Sequence, residues 1–272
     1  MLVNEQKIAQ AHYENFPVIP FFLPREWRKP IALIYAFARI ADDYADEGDD
    51  TPEIRLEKLD ALANGLSDPK TPFFESLATI IQDYQLPSQL FYDLLAAFKQ
   101  DVVQSRYPSP EAVLAYCHLS ARPIGRLLLH LTGHYREDIA IYSDHICASL
   151  QLINFLQDWH DDLIKRSRLY IPQSELTQFK ISEDDILSQQ DSPEIRALIN
   201  VQWQRAYDLL SAGTPLLTHL SGRFRWMIAL TVEGAFELLD RLQKRASPFD
   251  RPILSKWDWL KLTSRLCLKK VH

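Results

Sequence analysis

The chain is poor in glycine, with seven glycines among 272 residues. Tight β-hairpin turns depend on glycine and asparagine at positions of positive φ, so a fold rich in hairpins is disfavoured. No convincing segment alternates apolar and polar residues with the period of two that marks a half-buried strand.

Helix starts are frequent, because Thr-Pro and Ser-Pro pairs place an N-cap residue before a proline at the first helical position. These pairs are Thr51-Pro52, Thr71-Pro72, Ser109-Pro110, Ser192-Pro193 and Thr214-Pro215. The pattern predicts an all-α chain of roughly ten helices, forming one domain over residues 1–272.

Cysteine is also scarce, and Cys117, Cys147 and Cys267 are far apart in the sequence. An odd number of widely spaced cysteines fits neither a zinc site nor a disulfide framework, which favours a reducing cytoplasm.

The net charge is −6, so the clustered positive charge of a nucleic-acid-binding surface is missing. No apolar run approaches the ~18 residues that span a bilayer, and the polar N-terminus does not resemble a signal peptide. We therefore expect a cytoplasmic protein that binds no nucleic acid.

The C-terminal segment, residues 251–272, differs from the rest of the chain in charge. It carries six Lys and Arg residues against a single acid, Asp258, with tryptophan and leucine between them. Basic, aromatic and amphipathic segments can lie on anionic membranes, which predicts peripheral contact with the inner face of the cell membrane. The alternative is a C-terminal helix packed on the domain with its basic face in water.

The stretch ADDYAD, residues 41–46, continues an apolar helical pattern. At 100° per residue, Asp42 and Asp46 fall on the apolar stripe of that helix. Burying an unpaired carboxylate is costly. Arg39, one turn earlier, can pair with Asp42 or Asp43 but cannot neutralise all three acids. The alternative is a helix that emerges into solvent at its C-terminal end.

The stretch QLINFLQDWHDD, residues 151–162, carries a polar stripe on an otherwise apolar helix. A helix that is apolar nearly all round is buried, so its polar stripe is predicted to line an internal cavity. The stripe consists of Gln151, Asn154, Asp158 and Asp162. Carboxylate and amide oxygens are ligands of Mg²⁺, which also retains water and substrate phosphates. Two helices with Asp at i and i+4 predict a diphosphate site with bridging metal ions, the alternative being a structural polar network. Basic residues that could clamp phosphates are Arg39, Lys165, Arg166 and Arg168.

A third stretch, residues 116–133, combines small residues with Pro123 in an otherwise helical pattern. Proline inside a helix breaks or kinks it. The small residues Ser120, Ala121 and Gly125 would let a bulky ligand approach the backbone, or would allow two helices to pack closely.

Together the three stretches, in this order and spacing, resemble the squalene/phytoene synthase family. The resemblance rests on DDYAD at 42–46, YCHLSARPIG at 116–125 and QLINFLQDWHDDLIKRSRLYIP at 151–172, with HYENFPVIPFFLP at 12–24 similar to the N-terminal segment of the family. Within the family the chain most resembles the bacterial hydroxysqualene synthases. Gln157 stands where squalene and phytoene synthases usually have an arginine, and Ser-Ala-Arg-Pro at 120–123 replaces a glycine-containing stretch.

The resemblance implies an isoprenoid synthase fold, with helices around a central apolar cavity, and a role for each candidate residue. The implied Mg²⁺–diphosphate ligands are Asp42, Asp46, Asp158 and Asp162, with Asp43 as an accessory. Arg39 and Arg168 would hold diphosphate. Tyr116, Gln151 and Asn154 would line the catalytic carbocation pocket, with His12 and Phe16 at its N-terminal wall and Tyr35 offering a further aromatic face.

The implied reaction is Mg²⁺-dependent conversion of presqualene diphosphate to hydroxysqualene and diphosphate, in squalene and hopanoid biosynthesis. Such a carbon–oxygen lyase would use about two or three Mg²⁺ ions. No NADPH is expected, since the sequence has no GxGxxG dinucleotide-binding motif. Two alternatives stay open: head-to-head condensation of two farnesyl diphosphates to presqualene diphosphate or squalene, and a non-catalytic assembly or binding protein on the same fold. The expected partners are an isoprenoid diphosphate and other enzymes of the same pathway.

Overall fold

The computed structural model describes residues 24–268, and over this range the chain forms thirteen α-helices and no β-strand. The all-α prediction is confirmed. The helices outnumber the roughly ten expected because several have only one or two turns, too short for a helical period to show in the sequence. In chain order they are α1 (Arg25–Asp46), α2 (Pro52–Ser67), α3 (Pro72–Asp83), α4 (Gln89–Val103), α5 (Pro110–Ser120), α6 (Arg122–Leu131), α7 (Glu137–Arg166), α8 (Gln173–Phe179), α9 (Glu183–Leu187), α10 (Pro193–Gly213), α11 (Leu216–His219), α12 (Gly222–Lys244) and α13 (Lys256–Leu268).

Most of the predicted helix starts are confirmed. The side chains of Thr51, Thr71, Ser109 and Ser192 each cap a helix by accepting a backbone N–H hydrogen bond. The predicted start at Thr214 is wrong, because an N-cap residue needs extended backbone angles whereas Thr214 has φ −57° and ψ −30°. Its hydroxyl donates instead to the Ser211 carbonyl at 2.8 Å, so Thr214 closes α10.

The 30-residue helix α7 is the centre of the larger apolar cluster. It packs against α5, α6, α10 and α12, and Ile153, Leu156 and Trp159 are buried along it. Among residues 24–268, α7 alone is long and apolar enough to cross a membrane, yet 61% of its apolar window is buried within the protein. The sequence shows no continuous apolar run there because polar residues interrupt it. This burial is expected of a core helix.

Helix α1 packs against α2, α3 and α4 around a second apolar cluster. Phe37 and Phe91 are fully buried there and meet edge to face, with 5.3 Å between ring centroids. Ala41 and Ala45 are also buried, so the inward side of α1 stays apolar up to its C-terminal end. The acidic motif of residues 42–46 is thus fixed by the packing of α1.

The third stretch breaks at Pro123, as predicted, because α5 ends at Ser120 and α6 starts just beyond it. Gly125 of α6 lies against α7. A Cβ atom on Gly125 would come within 2.4 Å of Ser143 Oγ and 2.6 Å of Cys147 Sγ. At Gly125 the small side chain therefore allows close packing of two helices.

The C-terminal segment forms α13, which packs on α12 through Trp259, Leu262 and Leu266. Gly234 of α12 leaves room for the indole, since a Cβ atom there would come within 2.6 Å of the Trp259 ring. The expected helix packed on the domain is therefore present over residues 256–268, and the last four residues lie outside the described range.

Candidate active site

The two acidic motifs meet where the C-terminal ends of α1 and α7 come together. Arg166 joins them, because its Nε lies 3.1 Å from Asp46 Oδ2 and its Nη1 lies 2.9 Å from Asp162 Oδ1. Arg168 brings a second guanidinium to Asp46, donating from Nη2 to Oδ1 at 2.9 Å. Asp162 and Arg168 are buried. The carboxylates of Asp46 and Asp162, from two distant stretches of the sequence, thus contact the same guanidinium group.

Arg39 pairs with both remaining acids of the first motif. Its Nη1 lies 3.0 Å from Asp42 Oδ2, and its Nη2 lies 2.8 Å from Asp43 Oδ1, whereas the sequence predicted one of these pairs. The Asp42 side chain is 41% exposed, yet its partial burial, and then the nearby charge of Asp46, raise its pKa to about 6, although Arg39 opposes the shift. Crowded carboxylates raise one another's pKa in this way, so a bound cation would stabilise the motif.

Asp158 of the second motif pairs with Arg251, a residue that the sequence did not assign to the site. Arg251 Nη2 donates to Asp158 Oδ2 at 3.2 Å, and its Nε contacts the other carboxylate oxygen. These hydrogen bonds raise the pKa of Arg251. The guanidinium therefore provides positive charge at a predicted metal ligand.

Arg251 belongs to a loop, residues 245–255, that joins α12 to α13 and is fixed to α7. Gln157 donates from Nε2 to the Pro252 carbonyl at 2.6 Å. Trp159 donates from Nε1 to the Pro248 carbonyl at 3.1 Å. Gln157 thus holds the carbonyl of Pro252, the residue that follows Arg251. We call residues 245–255 the C-terminal loop.

Asp101 on α4 is a buried carboxylate beside the acidic motifs that sequence reasoning missed. Its Oδ2 accepts a hydrogen bond from the Tyr116 hydroxyl at 2.6 Å, and its Oδ1 accepts one from the Tyr170 hydroxyl at 2.9 Å. Its backbone carbonyl accepts from Arg168 Nη2 at 2.9 Å. Burial raises the pKa of Asp101 to about 6, although Arg168 and the two hydroxyls oppose the shift. The helical position of Asp101, one turn beyond the buried Ala97, was the available signal.

Aromatic rings line one side of this carboxylate. Phe155 and Tyr170 stack with 3.7 Å between centroids, and Tyr170 also stacks on Tyr107 at 5.4 Å. Tyr116, a predicted catalytic residue, lies 5.3 Å from Tyr170 and 6.1 Å from Phe155. Burial raises the pKa of Tyr116 and of Tyr170 well above the ordinary value, so both hydroxyls stay protonated and donate. We call Tyr107, Tyr116, Phe155 and Tyr170 the aromatic box.

The polar stripe of α7 is open to solvent at its middle. Asn154 is exposed, Gln151 and Asp158 are partly exposed, and Asp162 is buried. The expectation that the stripe lies away from bulk water therefore holds at Asp162 and fails at Asn154. An open stripe gives a ligand a route of entry, as a binding site requires.

The other predicted residues lie in different places. Tyr35 is half-buried on α1, two turns before the acidic motif. Lys165 is exposed, pairs with Asp161 at 2.7 Å, and is not brought to the acidic cluster. His12 and Phe16 lie outside the described residues.

The family model for squalene/phytoene synthases matches residues 9–260. The chain belongs to the squalene/phytoene synthase family. The hydroxysqualene synthase of Sinorhizobium fredii is 31% identical over 257 residues, which cover 93% of this chain and 87% of that protein. The hydroxysqualene synthase of Rhodopseudomonas palustris is 34% identical over 220 residues, covering 80% of this chain and 75% of that protein.

Solved structures of the family share the fold. The crystal structure of squalene synthase HpnC from Alicyclobacillus acidocaldarius has a TM-score of 0.83 and 30% identity, covering 91% of this chain and 94% of that one. A dehydrosqualene synthase structure has a TM-score of 0.86 at 21% identity, covering 97% and 94% of the two chains. The family and the isoprenoid synthase fold expected from the three stretches are thus confirmed.

The acidic residues offer the oxygen ligands that magnesium takes when it binds together with a phosphate. Among residues 24–268, no group of three or more His, Cys, Asp or Glu side chains forms a ready metal site, so a cage of protein ligands alone is not present there. Mg²⁺ in phosphate-handling sites takes one or two carboxylates and completes its octahedron with water and substrate oxygens. Asp42 and Asp46 on α1, and Asp158 and Asp162 on α7, offer such carboxylates. The arginines paired with them occupy positions where positive charge is favoured.

Proposed function

We propose that this protein converts presqualene diphosphate to hydroxysqualene and diphosphate in a Mg²⁺-dependent reaction. The observation that carries the proposal is the bridge from Asp46 through Arg166 to Asp162, with contacts of 3.1 and 2.9 Å, which joins the two acidic motifs in one site. Relatives named hydroxysqualene synthase, at 31% and 34% identity, support the choice of reaction.

The acidic motifs and their arginines would hold the leaving group. Bound Mg²⁺ would supply positive charge that stabilises the departing diphosphate. Guanidinium groups match phosphate oxygens in bidentate geometry, so Arg39, Arg166 and Arg168 can turn from their carboxylates to the diphosphate. When the carbon–oxygen bond of presqualene diphosphate breaks, its electron pair leaves with the diphosphate that these residues bind.

The aromatic box would stabilise the carbocation that remains. Arg168 connects the two parts of the site, since its Nη1 lies 3.3 Å from the Tyr170 hydroxyl while its Nη2 contacts Asp46. Aromatic faces attract a cation through their quadrupoles, and buried rings exclude water while the cation rearranges. Tyr116 and Phe155 present such rings next to Tyr170.

Water then forms the carbon–oxygen bond of the product and loses one proton. Asp101 can accept this proton through the Tyr116 or Tyr170 hydroxyl, because it is hydrogen-bonded to both at 2.6 and 2.9 Å. With its pKa raised to about 6, Asp101 is ionised at neutral pH and remains a moderate base. No hydride donor takes part in this sequence, so no NADPH is required.

A second reaction on the same site is head-to-head condensation of two farnesyl diphosphates. A solved relative favours it as the rival, since the squalene synthase HpnC of Alicyclobacillus acidocaldarius, named for squalene as its product, is 30% identical and covers 91% of this chain. Both reactions start with departure of a diphosphate, so the same site residues serve either one. The two reactions differ in their substrate, and an assay with each substrate distinguishes them.

The test is turnover of presqualene diphosphate by purified protein with Mg²⁺ and without reductant, followed by mass spectrometry. We expect hydroxysqualene, with a loss of about 100-fold or more in Asp46→Asn and Asp162→Asn because each removes a carboxylate of the leaving-group site. The matched control is Asp161→Asn, next to Asp162 but only partly buried and paired with Lys165, which should keep turnover. Product from farnesyl diphosphate alone would support the rival, and equal loss in all three variants would contradict the site.

A further inference from the structure

Helix α13 keeps a row of large apolar side chains in solvent on the side opposite its contact with α12. Trp257 is 72% exposed, Leu260 is 58% exposed and Leu268 is 84% exposed. At 100° per residue the three side chains fall within about 80° of arc, so they form one stripe. Ser264 lies between Leu260 and Leu268 on this stripe. Single exposed apolar residues are normal, but several on one face of a helix are typical of an interaction surface.

Basic residues flank this row. On the helix, Lys261 and Arg265 lie on one side of the stripe and Lys256 lies on the other. Asp258 is the acid of this helix, and Arg241 of α12 neutralises it, with 2.7 Å between Arg241 Nη2 and Asp258 Oδ1. Arg265 Nη1 lies 3.9 Å from Glu237 Oε2. Two more lysines follow in the sequence, outside the described range. The outer face of α13 is thus apolar along its middle and positive along its edges.

We propose that this face docks the protein on an anionic lipid membrane. Helices that lie in the membrane interface place large apolar side chains at the boundary of headgroups and acyl chains, with Lys and Arg directed to anionic headgroups. Each basic residue near such a surface adds to the attraction. Trp257 and Leu260 would enter the interface, and Lys256 and Lys261 would contact the headgroups.

The docking face is close to the candidate active site. Arg251 of the C-terminal loop contacts Asp158, and Trp257 follows six residues later in the chain. A stretch of six residues spans at most about 20 Å. Ile253, between them in the chain, is also a large apolar residue in solvent, 60% exposed. On the proposed function, which this step assumes, the substrate is a long apolar lipid, and docking would bring the acids close to the membrane that dissolves it.

The experiment is flotation of the full-length protein with vesicles, in the absence of substrate. Phosphatidylcholine vesicles are compared with vesicles in which roughly a third of the lipid is phosphatidylglycerol. We expect the protein to float with the anionic vesicles, and less so at high salt. Trp257→Ser/Leu260→Ser should lower the partition coefficient on the order of a hundredfold, because each of the two large apolar side chains that leaves water contributes about tenfold.

Two controls keep the test specific. Val103→Ser removes a side chain of similar exposure, 70%, on α4, which packs against α1, α2, α5 and α6, and it should float like the parent protein. Lys256→Glu/Lys261→Glu changes charge without touching the apolar row and should lower binding to the anionic vesicles alone. Circular dichroism checks that each variant keeps its helices.

Three results would overturn the proposal. The first is equal flotation of the parent protein and Trp257→Ser/Leu260→Ser. The second is equal binding to neutral and anionic vesicles. The third is a parent protein that binds no vesicles but forms a concentration-dependent dimer, which Trp257→Ser/Leu260→Ser abolishes. The face would then join two copies of the chain. Turnover in detergent is measured separately, so a failure of docking and a failure of the proposed reaction are distinguishable.

Discussion

Replacing Asp101 with asparagine is expected to separate stability from activity. Burial raises the pKa of Asp101 from its ordinary 3.8 to about 6, and each unit corresponds to about 1.4 kcal/mol. The ionised carboxylate therefore costs the folded protein about 3 kcal/mol at neutral pH. Because the pKa is higher in the folded state, that state binds more protons between pH of about 4 and about 6, and the free energy of unfolding falls as pH rises through this window.

Asparagine keeps the shape of the side chain and loses the charge. Its carbonyl can accept from one tyrosine hydroxyl and its amide can donate to the other, and the pKa of about 6 already includes both hydrogen bonds to the ionised carboxylate. At pH 8, Asp101→Asn should thus unfold with the same free energy as the parent protein or up to about 3 kcal/mol more. Turnover should fall about 100-fold, since the base that we propose for the released proton is gone.

The assay is urea unfolding at pH 4 and pH 8 together with turnover of presqualene diphosphate. The control is Asp144→Asn, a buried acid bound by Arg126 at 2.8 Å on a part of α7 that the reaction does not use. Removing this partner should destabilise the protein by about 3–5 kcal/mol and leave the turnover of folded protein unchanged. Full turnover in Asp101→Asn, or a loss of more than about 1 kcal/mol in its free energy of unfolding at pH 8, would contradict the prediction.

Three further changes test other parts of the structure. Arg166→Ala should lower turnover about 10²- to 10³-fold, because two charge-assisted contacts are lost, while the exposed neighbour Lys165→Ala should stay within about twofold; equal effects would contradict the bridge. Arg251→Ala should raise the affinity for Mn²⁺ in an EPR titration without substrate, since Asp158 loses a competing cation, and an unchanged affinity would count against the pairing. Gly125→Ala should lower the free energy of unfolding by about 1–3 kcal/mol in urea, because its Cβ overlaps α7; an unchanged midpoint would argue against close packing there.

Local pattern was enough to predict four of the five proline-marked helix starts and both acidic motifs. N-cap residues such as Thr51 and Ser109 act within one helical turn, so their effect is readable from neighbours in the sequence. The stripe that carries Asp158 and Asp162 follows from the helical period alone. These features depend on residues three or four positions apart, so they can be predicted from the sequence alone.

The partners of the acids were harder to predict, because they come from distant segments. Arg168 reaches Asp46 across 122 positions and the Asp101 carbonyl across 67, and Arg251 reaches Asp158 across 93. Only tertiary packing brings these groups together, and no local period records it. Asp101 could have been predicted from the sequence, because it is an acid on the apolar side of α4, as Asp42 is on α1.

The most direct test of the proposed reaction is the origin of the oxygen in the product. Presqualene diphosphate is incubated with the protein and Mg²⁺ in ¹⁸O-labelled water, without reductant, and the lipid product is analysed by mass spectrometry. We predict hydroxysqualene that carries the heavy oxygen, and no product when EDTA removes the metal. Unchanged substrate, or an oxygen without the label, would contradict it.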